Sequence, residues 1–234
     1  MHKKKLKKLN FLLKKRYIGY PISYITKKKE FWSIPIYVSK KTFIPRPETE
    51  SLVEQSLILI NNNKKNKILD LGTGTGAISL ALAKELKKSQ ITGVDISHHA
   101  IKIAKYNSRL LKIKNVNFYQ SNWFSKISKN SKFNIIVSNP PYISSSNVSL
   151  ELNDIRFEPK IALISKNNGL KDIEIIINNA TFYLKNKGWL LIEHSEFQKK
   201  RVQFLFRKYK YKNILSIKDY NNFDRITIGK YQYF

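Results

Sequence analysis

The segment SNPPYI, from Ser138 to Ile143, combines one amide side chain, two prolines and one aromatic ring. It follows FNIIV, an apolar and β-branched run that predicts a buried strand. The two prolines remove two backbone donors and fix two φ angles, and Asn139 is pushed to an extended conformation because a proline follows it. The segment therefore predicts a rigid corner at the carboxyl end of a strand, where the Asn139 side-chain oxygen and the Pro140 carbonyl can accept hydrogen bonds.

This corner fits a specific chemistry. A planar amino or amide nitrogen is a poor nucleophile because its lone pair is delocalised. The Asn139 oxygen and the Pro140 carbonyl can each accept one of its N–H bonds, which pulls electron density onto the nitrogen and directs its lone pair. Tyr142 can pack against the flat substrate group. An Asn-Pro-Pro-aromatic sequence is a feature of methyltransferases that act on such nitrogens, and the alternative interpretation is an ordinary Asn-Pro turn.

A glycine-rich turn, LDLGTGTGAISLAL (69–82), lies between a predicted strand and a predicted helix. Its glycines are Gly72, Gly74 and Gly76. They permit a sharp turn and a close approach of the backbone to a ligand, and Asp95 ends the next predicted strand, where a carboxylate can accept hydrogen bonds from ribose hydroxyls. Both features occur in dinucleotide-binding proteins and in S-adenosylmethionine-dependent methyltransferases, so the turn alone does not exclude NAD. A turn that binds nothing is a further alternative, and the corner at Asn139 favours the methyltransferase.

The elements that must position these residues alternate along the chain. Apolar periodicity predicts helices over 4–15, 46–60, 77–86, 98–111, 170–184 and 196–209. It predicts an extended, hairpin-like segment over 30–39 and strands over 67–71, 91–95, 116–119, 133–138, 188–193, 213–219 and 225–231. This alternation indicates a mostly parallel sheet covered by helices on both faces, with ligands bound outside the carboxyl ends of the strands.

The polar run NNNKKN at 61–66 is expected to separate a front segment from the α/β domain. We therefore predict two units, residues 1–62 with a helix, a hairpin and a linking helix, and residues 63–234 as the catalytic domain.

Composition limits the class of protein. No stretch approaches the about 18 apolar residues that a membrane span needs, so no membrane association is expected. The chain has no cysteine, which rules out disulfides and thiolate chemistry and fits a cytoplasmic protein. With four histidines a Cys/His metal cluster is excluded, no metal is expected, and His98 and His99 are interpreted as a helix start.

The charge is extreme, with 44 Lys and Arg against 16 Asp and Glu, a net charge of +28. Such a field attracts polyanions and predicts nonspecific contact with RNA. The lysines are spread along the whole chain, however, so a solvated basic surface without a dedicated nucleic-acid site is an equal alternative. The densest basic cluster is KKKLKK at 3–8.

Several stretches of the sequence together carry a resemblance to a known family. They are 19–54, which contains IPRPETE, 68–83, 121–124, 137–143, 156–163, 168–173, 190–194 and 224–231. From about residue 8 onward the chain resembles the bacterial peptide chain release factor glutamine methyltransferases, the HemK/PrmC family. Ribosomal-protein glutamine methyltransferases share the corner motif but differ from IPRPETE, and they remain an alternative. A nucleic-acid adenine-N6 methyltransferase is the other alternative, and a non-catalytic RNA-binding protein is a third class.

The resemblance implies a fold, a reaction and a cofactor. The fold is an α/β, Rossmann-like class I methyltransferase with a seven-stranded, mostly parallel sheet whose last strand is antiparallel, preceded by a short N-terminal front segment. The reaction is methylation of the side-chain amide nitrogen (N5) of the glutamine in the Gly-Gly-Gln motif of release factors. The methyl donor is S-adenosyl-L-methionine, the partner is the release factor, and the protein is expected to be a monomer.

The resemblance also implies roles for individual residues. The cofactor would be bound by Gly72, Thr73, Gly74, Thr75, Gly76, Asp95, Trp123 and Asn139. Within this set Asp95 would hold the ribose and Trp123 would lie beside the adenine. The glutamine pocket would be built from Asn139, Pro140, Pro141 and Tyr142, and of these Asn139, Pro140 and Tyr142 would be catalytic. Arg46 and Glu48 are candidates to complete the site, with a structural ion pair as the alternative for Arg46.

Two departures from the family pattern bear on these implications. The family has an N-terminal helical domain, and within residues 1–18 only its last helix is expected to fit, which puts the affinity for the release factor in question. Position 122 is Asn where the family commonly has Asp, and an amide oxygen can still bind the adenine amino group. No general base is assigned. His194 and Glu158 are candidates by position alone, and the proton can also leave to water because methyl transfer acidifies the amide nitrogen.

Overall fold

A computed structural model of the chain describes residues 2–60, 64–146 and 154–233. The helices are α1 His2–Tyr17, α2 Ile22–Thr26, α3 Glu50–Ile58, α4 Ala77–Glu85, α5 His98–Leu110, α6 Lys171–Ala180 and α7 Lys199–Lys208. The strands are β1 Lys28–Phe31, β2 Ile34–Tyr37, β3 Lys67–Leu71, β4 Gln90–Asp95, β5 Val116–Gln120, β6 Phe133–Ser138, β7 Ile143–Ser144, β8 Ile164–Ser165, β9 Leu184–Glu193, β10 Lys212–Lys218 and β11 Asp224–Lys230. The predicted boundary between residues 62 and 63 lies outside the described residues, so the division into two units stays a prediction.

The central sheet contains seven strands within the described residues, in the order β10-β11-β9-β6-β3-β4-β5. From β9 to β5 every neighbouring pair is parallel, whereas β11 pairs antiparallel with both β9 and β10. The predicted seven-stranded, mostly parallel sheet with an antiparallel last strand is therefore confirmed. Strands β3 and β6 are adjacent, with Leu71 opposite Ser138, so the glycine turn and the Asn139 corner leave the same edge of the sheet.

Both faces of this sheet are buried, as its parallel strands require. Along β3, Ile68 packs into one apolar cluster, while Leu69 and Leu71 pack into the other. The first cluster contains buried side chains of α3, α4 and α5, and the second contains those of α6 and α7. The front hairpin belongs to the first cluster through fully buried side chains such as Phe31 and Ile36. The front segment is consequently packed against the sheet, next to the edge where the loops emerge.

Several predicted element boundaries were wrong: the predicted helix 196–209 begins as a 3-10 turn, Glu196–Gln198, before α7, and the predicted strand 188–193 begins at Leu184. Two further differences have a local reason. The predicted helix 170–184 ends at Ala180, because Leu184 already pairs with Phe133 at the start of β9 and is fully buried there. The predicted helix 46–60 begins as a 3-10 turn, Pro47–Thr49, before α3. Proline suits the first turn of a helix because its missing N–H has no intrahelical partner there. In the described parts of the chain, no helix is both long and apolar enough to cross a bilayer.

Candidate active site

A cavity of about 310 Å³ opens at the carboxyl edge of the central sheet, between the front segment and the loops after β3, β4 and β6. Ten of its lining residues are sequence-predicted site residues: Gly72, Thr73, Gly74, Thr75, Asp95, Trp123, Asn139, Pro140, Pro141 and Tyr142. Gly76 is not among the residues that line it. A Cβ at Gly76 would lie 3.0 Å from the Phe118 ring and 3.1 Å from the Ala104 Cβ, so this glycine permits α4 to pack against its neighbours.

The glycine turn is held by backbone hydrogen bonds and by Asp95. The amides of Gly72 and Thr73 both donate to the Val94 carbonyl, at 2.8 and 2.9 Å. Asp95 Oδ2 accepts the amide of Gly74 at 2.9 Å, and its Oδ1 accepts the amide of Ser97 at 2.8 Å. Burial raises the pKa of the Asp95 carboxyl, and the two amides oppose that rise. Each carboxylate oxygen keeps further acceptor capacity, so Asp95 can hold the turn and still bind a hydroxyl in the cavity.

Asp70, at the end of β3, supports the same turn from beneath. It is fully buried, and its Oδ2 accepts the hydroxyls of Thr73 at 2.6 Å and Ser79 at 2.7 Å. Burial raises the pKa of its carboxyl to about 6, against the effect of those hydroxyls. Its Oδ1 has no hydrogen-bond partner among the described residues. Such an orphan acceptor carries an energetic cost, which a ligand or water beside the turn would relieve.

Trp123 forms the opposite wall of the glycine turn. A Cβ at Gly72 would lie 3.4 Å from the Trp123 ring, so the absence of a side chain there lets the indole sit close to the backbone. The indole N–H donates to Asp172 Oδ1 at 3.2 Å, which fixes the plane of the ring. Asn122, where the family that the sequence resembles commonly has Asp, also lines the cavity. An indole face and an amide side by side can stack on and hydrogen-bond to a flat heterocycle.

The corner after β6 is held by contacts of Ser138 at its start and of Tyr142 at its end. The Ser138 hydroxyl donates to the Leu71 carbonyl at 2.8 Å, which ties the ends of β6 and β3 together. Gln198 Nε2 donates to the Tyr142 carbonyl at 3.0 Å. Gly169 packs so closely that a Cβ there would overlap the same carbonyl oxygen. The Tyr142 hydroxyl donates to Glu193 Oε1 at 3.2 Å, so both ends of this residue are held.

Asn139 is oriented by a residue of the front segment. Its Nδ2 donates to the Thr49 hydroxyl oxygen at 3.0 Å, across 90 positions of sequence. Because the amide nitrogen is committed to Thr49, the amide oxygen is the atom left for a ligand in the cavity. An oxygen acceptor at this point, beside the Pro140 carbonyl, matches the two N–H groups of a primary amide or an amino group.

Comparison with known proteins assigns the family. A methyltransferase-domain family model matches residues 62–227. The chain is 54% identical over 230 residues to the release factor glutamine methyltransferase of Buchnera aphidicola subsp. Schizaphis graminum, covering 98% of this chain and 82% of the relative. The enzymes of the same name from Vibrio cholerae and Escherichia coli K12 are 46% and 43% identical, over 99% and 95% of this chain and 81% and 80% of theirs.

The chain belongs to the release factor glutamine methyltransferase family.

Solved structures agree with this assignment at the level of the fold. A methyltransferase from Pyrococcus furiosus superposes with a TM-score of 0.64 at 16% identity, over 90% of this chain and 94% of that one. A 16S rRNA methyltransferase from T. thermophilus, solved in complex with AdoMet and guanosine, superposes with a TM-score of 0.65 at 16% identity, over 88% of this chain and 50% of that one. The predicted class I methyltransferase fold is thereby confirmed.

In this family member Arg46 forms an ion pair. Its guanidinium contacts the buried carboxylate of Glu158, which also accepts the amide of Ile44 at 2.9 Å. The pair joins the IPRPETE loop to the RFEPKIAL segment. Arg46 also lines the cavity, whereas Glu48 is not among its lining residues. Arg46 therefore forms the ion pair given as its alternative and stays a candidate to complete the site.

The two residues considered as a base are already engaged. Glu158 is paired with Arg46, as described above. His194 is fully buried, with Nδ1 2.8 Å from the Ser195 carbonyl and Nε2 2.7 Å from the Thr227 hydroxyl. Burial lowers the pKa of its imidazole. Neither residue lines the cavity. Within the described residues, no group of three or more His, Asp or Glu could hold a metal ion.

Sequence reasoning missed two residues beside the corner, Thr49 and Glu193. Glu193 ends β9 and is only 2% exposed, and burial raises the pKa of its carboxyl to about 7. The hydroxyls of Thr49 and Tyr142 and the charge of Arg225 oppose that rise, while Glu48 adds to it. The available signal was an acidic residue directly after the apolar run LLI at the end of β9, since buried carboxylates are rare without partners.

Proposed function

We propose that this protein transfers a methyl group from S-adenosylmethionine to the side-chain amide nitrogen of the glutamine in the Gly-Gly-Gln motif of peptide chain release factors. The observation that carries the proposal is the orientation of Asn139. Its Nδ2 donates to Thr49 at 3.0 Å, so its Oδ1 is available at the edge of a cavity that the glycine turn also lines.

Asn139 Oδ1 and the Pro140 carbonyl would accept the two N–H bonds of the glutamine amide. These acceptors polarise the amide towards nitrogen, and they gain strength as positive charge develops there in the transition state. Tyr142 would lie against the flat amide, with its hydroxyl held by Glu193 at 3.2 Å. The prolines and the contacts to Gln198 and Gly169 keep the corner rigid, so little reorganisation accompanies the reaction.

The lining residues fit S-adenosylmethionine. Asp95 offers carboxylate oxygens for ribose hydroxyls, and Trp123 with Asn122 offers a flat face and an amide for the adenine. Gly72 and Gly74 present backbone without side chains at the cavity, and the orphan acceptor of Asp70 lies beneath the turn. Gly76, which packs away from the cavity, would act by shaping the turn. When bound, the cofactor supplies an electrophilic methyl group on a positively charged sulfur.

The amide nitrogen must lose a proton after it is methylated. Glu158 and His194 are hydrogen-bonded elsewhere, so neither is assigned as the acceptor. Methyl transfer makes the nitrogen strongly acidic, and its proton would therefore leave to water.

A labelling experiment tests the proposal against its alternatives. The protein is incubated with methyl-labelled S-adenosylmethionine and, in separate reactions, a release factor, a ribosomal protein mixture, total RNA and DNA. Label on the release factor, located by mass spectrometry at the Gly-Gly-Gln glutamine and absent when that glutamine is replaced by glutamate, supports the proposal. Label on adenine, or on another glutamine, contradicts it.

Three further properties are proposed with this function. The net charge of +28 would give nonspecific, salt-sensitive contact with RNA. The protein would act as a monomer. With a release factor as its substrate, the protein would act in the cytoplasm.

A further inference from the structure

Three hydrogen-bonding side chains from distant parts of the chain converge behind Asn139. Thr49 belongs to the front segment, Tyr142 to the corner, and Glu193 to the end of β9. Thr49 and Glu193 are 4% and 2% exposed. Tyr142 donates its hydroxyl to Glu193 Oε1 at 3.2 Å, and Asn139 Nδ2 donates to Thr49 Oγ1 at 3.0 Å.

The direction of these hydrogen bonds matters because the two ends of the Asn139 amide differ: the oxygen accepts and the nitrogen donates. An asparagine side chain can be turned by 180° with little change in shape, which exchanges its acceptor oxygen for its donor nitrogen. Only the oxygen can accept an N–H bond from a substrate amide. A site that uses Asn139 Oδ1 therefore needs a partner that distinguishes the two ends of the amide.

Thr49 can make that distinction only if its own proton is directed elsewhere. A threonine hydroxyl has one proton and two lone pairs. If the proton points at Asn139, it selects the amide oxygen, and the nitrogen then faces the substrate. If the proton points away, the Thr49 oxygen is purely an acceptor towards Asn139 and selects the amide nitrogen.

Glu193 is the neighbouring acceptor for that proton. Its Oε2 is buried and has no hydrogen-bond partner among the described residues, so it is free to accept a proton. The Thr49 hydroxyl opposes the rise in the pKa of this carboxyl, as a neighbouring donor does. The other oxygen, Oε1, is taken by Tyr142. Burial raises the pKa of this carboxyl to about 7, so above that pH Glu193 is ionised. A carboxylate accepts and does not donate, so in this form it attracts the Thr49 proton and leaves the Thr49 lone pairs for Asn139.

We infer that Thr49 and Glu193 are positioning residues that fix the orientation of the Asn139 amide, with the Glu193 carboxylate directing the Thr49 hydroxyl so that only the amide nitrogen of Asn139 can face it. This inference rests on the proposed role of Asn139 in binding the substrate amide. It assigns to the front segment a function in catalysis in addition to packing on the sheet.

The test compares steady-state methylation of a release factor by T49V, T49S, E193Q and N139A at about pH 8, above the raised pKa of Glu193. T49V keeps the shape of the side chain and removes the hydroxyl, and T49S restores it. We expect kcat to fall about tenfold in T49V, from the loss of one hydrogen bond, with KM for the release factor and the Kd of S-adenosylhomocysteine within about threefold of wild type. T49S is expected to recover kcat to within about threefold.

A double-mutant cycle separates positioning from a general structural effect. If Thr49 acts only through Asn139, T49V in an N139A background lowers kcat no further. An additive loss in the double variant, or a wild-type kcat in T49V, overturns the inference. E193Q is expected to lower kcat at least threefold, because an amide placed there can donate to Thr49 and reverse the direction of the bond, and an undiminished kcat overturns the role of Glu193.

Two controls keep the outcomes distinct. Ser56 is a buried residue of α3, the helix that begins directly after Thr49. Its hydroxyl donates to the Leu52 carbonyl at 2.7 Å. The variant S56A therefore measures the effect on folding of losing a buried hydroxyl outside the site. We expect its kcat to equal that of wild type. If N139A itself retains full kcat, the proposed function of the corner fails; if N139A is impaired but T49V is not, only the positioning inference fails.

Discussion

Replacing Asn139 by alanine removes the acceptor on which the proposed chemistry depends. The structure shows what else changes. Thr49 loses its hydrogen bond from Nδ2. Tyr142 keeps its contacts to Glu193 and Gln198, and Ser138 keeps its contact to Leu71. The perturbation is thus confined to one of the two acceptors available to the substrate amide.

The size of the effect follows from what the lost acceptor does. A single preorganised hydrogen bond to developing charge contributes on the order of a hundredfold to the rate, about 2.7 kcal/mol. Because the charge on nitrogen grows in the transition state, the loss is expected in kcat and only weakly in KM. Cofactor affinity should change less than kcat, because Asn139 is only one of the residues expected to bind the cofactor, and the glycine turn, Asp95 and Trp123 are held independently of its side chain.

The assay measures initial rates of methyl incorporation at saturating release factor, with calorimetric titration of S-adenosylhomocysteine as a control for the cofactor site. N139D extends the test. It keeps an oxygen in place but adds a negative charge near the positively charged sulfur, which stabilises the reactants more than the transition state, so full activity should not return. A kcat for N139A within threefold of wild type, or a change in KM alone, would refute the reasoning.

Three other predictions follow from the site and the surface. D95A should weaken S-adenosylhomocysteine binding ten- to a hundredfold, about 1.5–3 kcal/mol. The substitution removes the acceptor for a ribose and also the acceptor for the Gly74 and Ser97 amides. Calorimetry showing unchanged affinity, or tight binding of NAD, contradicts this prediction. RNA binding should weaken steeply with salt while methylation responds less; filter binding that detects no RNA even at low salt identifies the lysines as a solvated surface only. The pKa of Glu193 is raised from 4.5 to about 7, so the folded state binds a proton at this carboxyl more tightly than the unfolded state does. Protonated Glu193 therefore stabilises the folded state fully below pH 4.5, and this stabilisation is lost as pH rises through 7. Between pH 5 and 8, urea denaturation should show wild type losing up to about 3 kcal/mol relative to E193Q; parallel pH profiles for the two proteins would show that Glu193 does not titrate in this range.

Much of the fold could be predicted from local patterns. Strand β6 was predicted with the bounds that the structure has, Phe133–Ser138, because a buried apolar run followed by Asn-Pro-Pro leaves little choice of conformation. The parallel sheet followed from the alternation of strands and helices, and the convergence of the glycine turn and the corner followed from the rule that ligands bind at the carboxyl ends of such strands. The boundary between α6 and β9 could not be predicted, because the pairing of Leu184 with Phe133 involves a strand about 50 positions away.

The site divides in the same way. The sequence by itself determined the chemistry of the corner, the turn and Asp95, since each depends on residues that are adjacent in the chain and have restricted backbones or fixed acceptors. Only the tertiary structure decided which end of the Asn139 amide is held, because its Nδ2 donates to Thr49, 90 positions away. Likewise, only the fold brings Glu193 to Tyr142, 51 positions away. Hydrogen bonds between side chains so far apart leave no periodicity in the sequence; they exist because the sheet order and the docked front segment bring their atoms to one point.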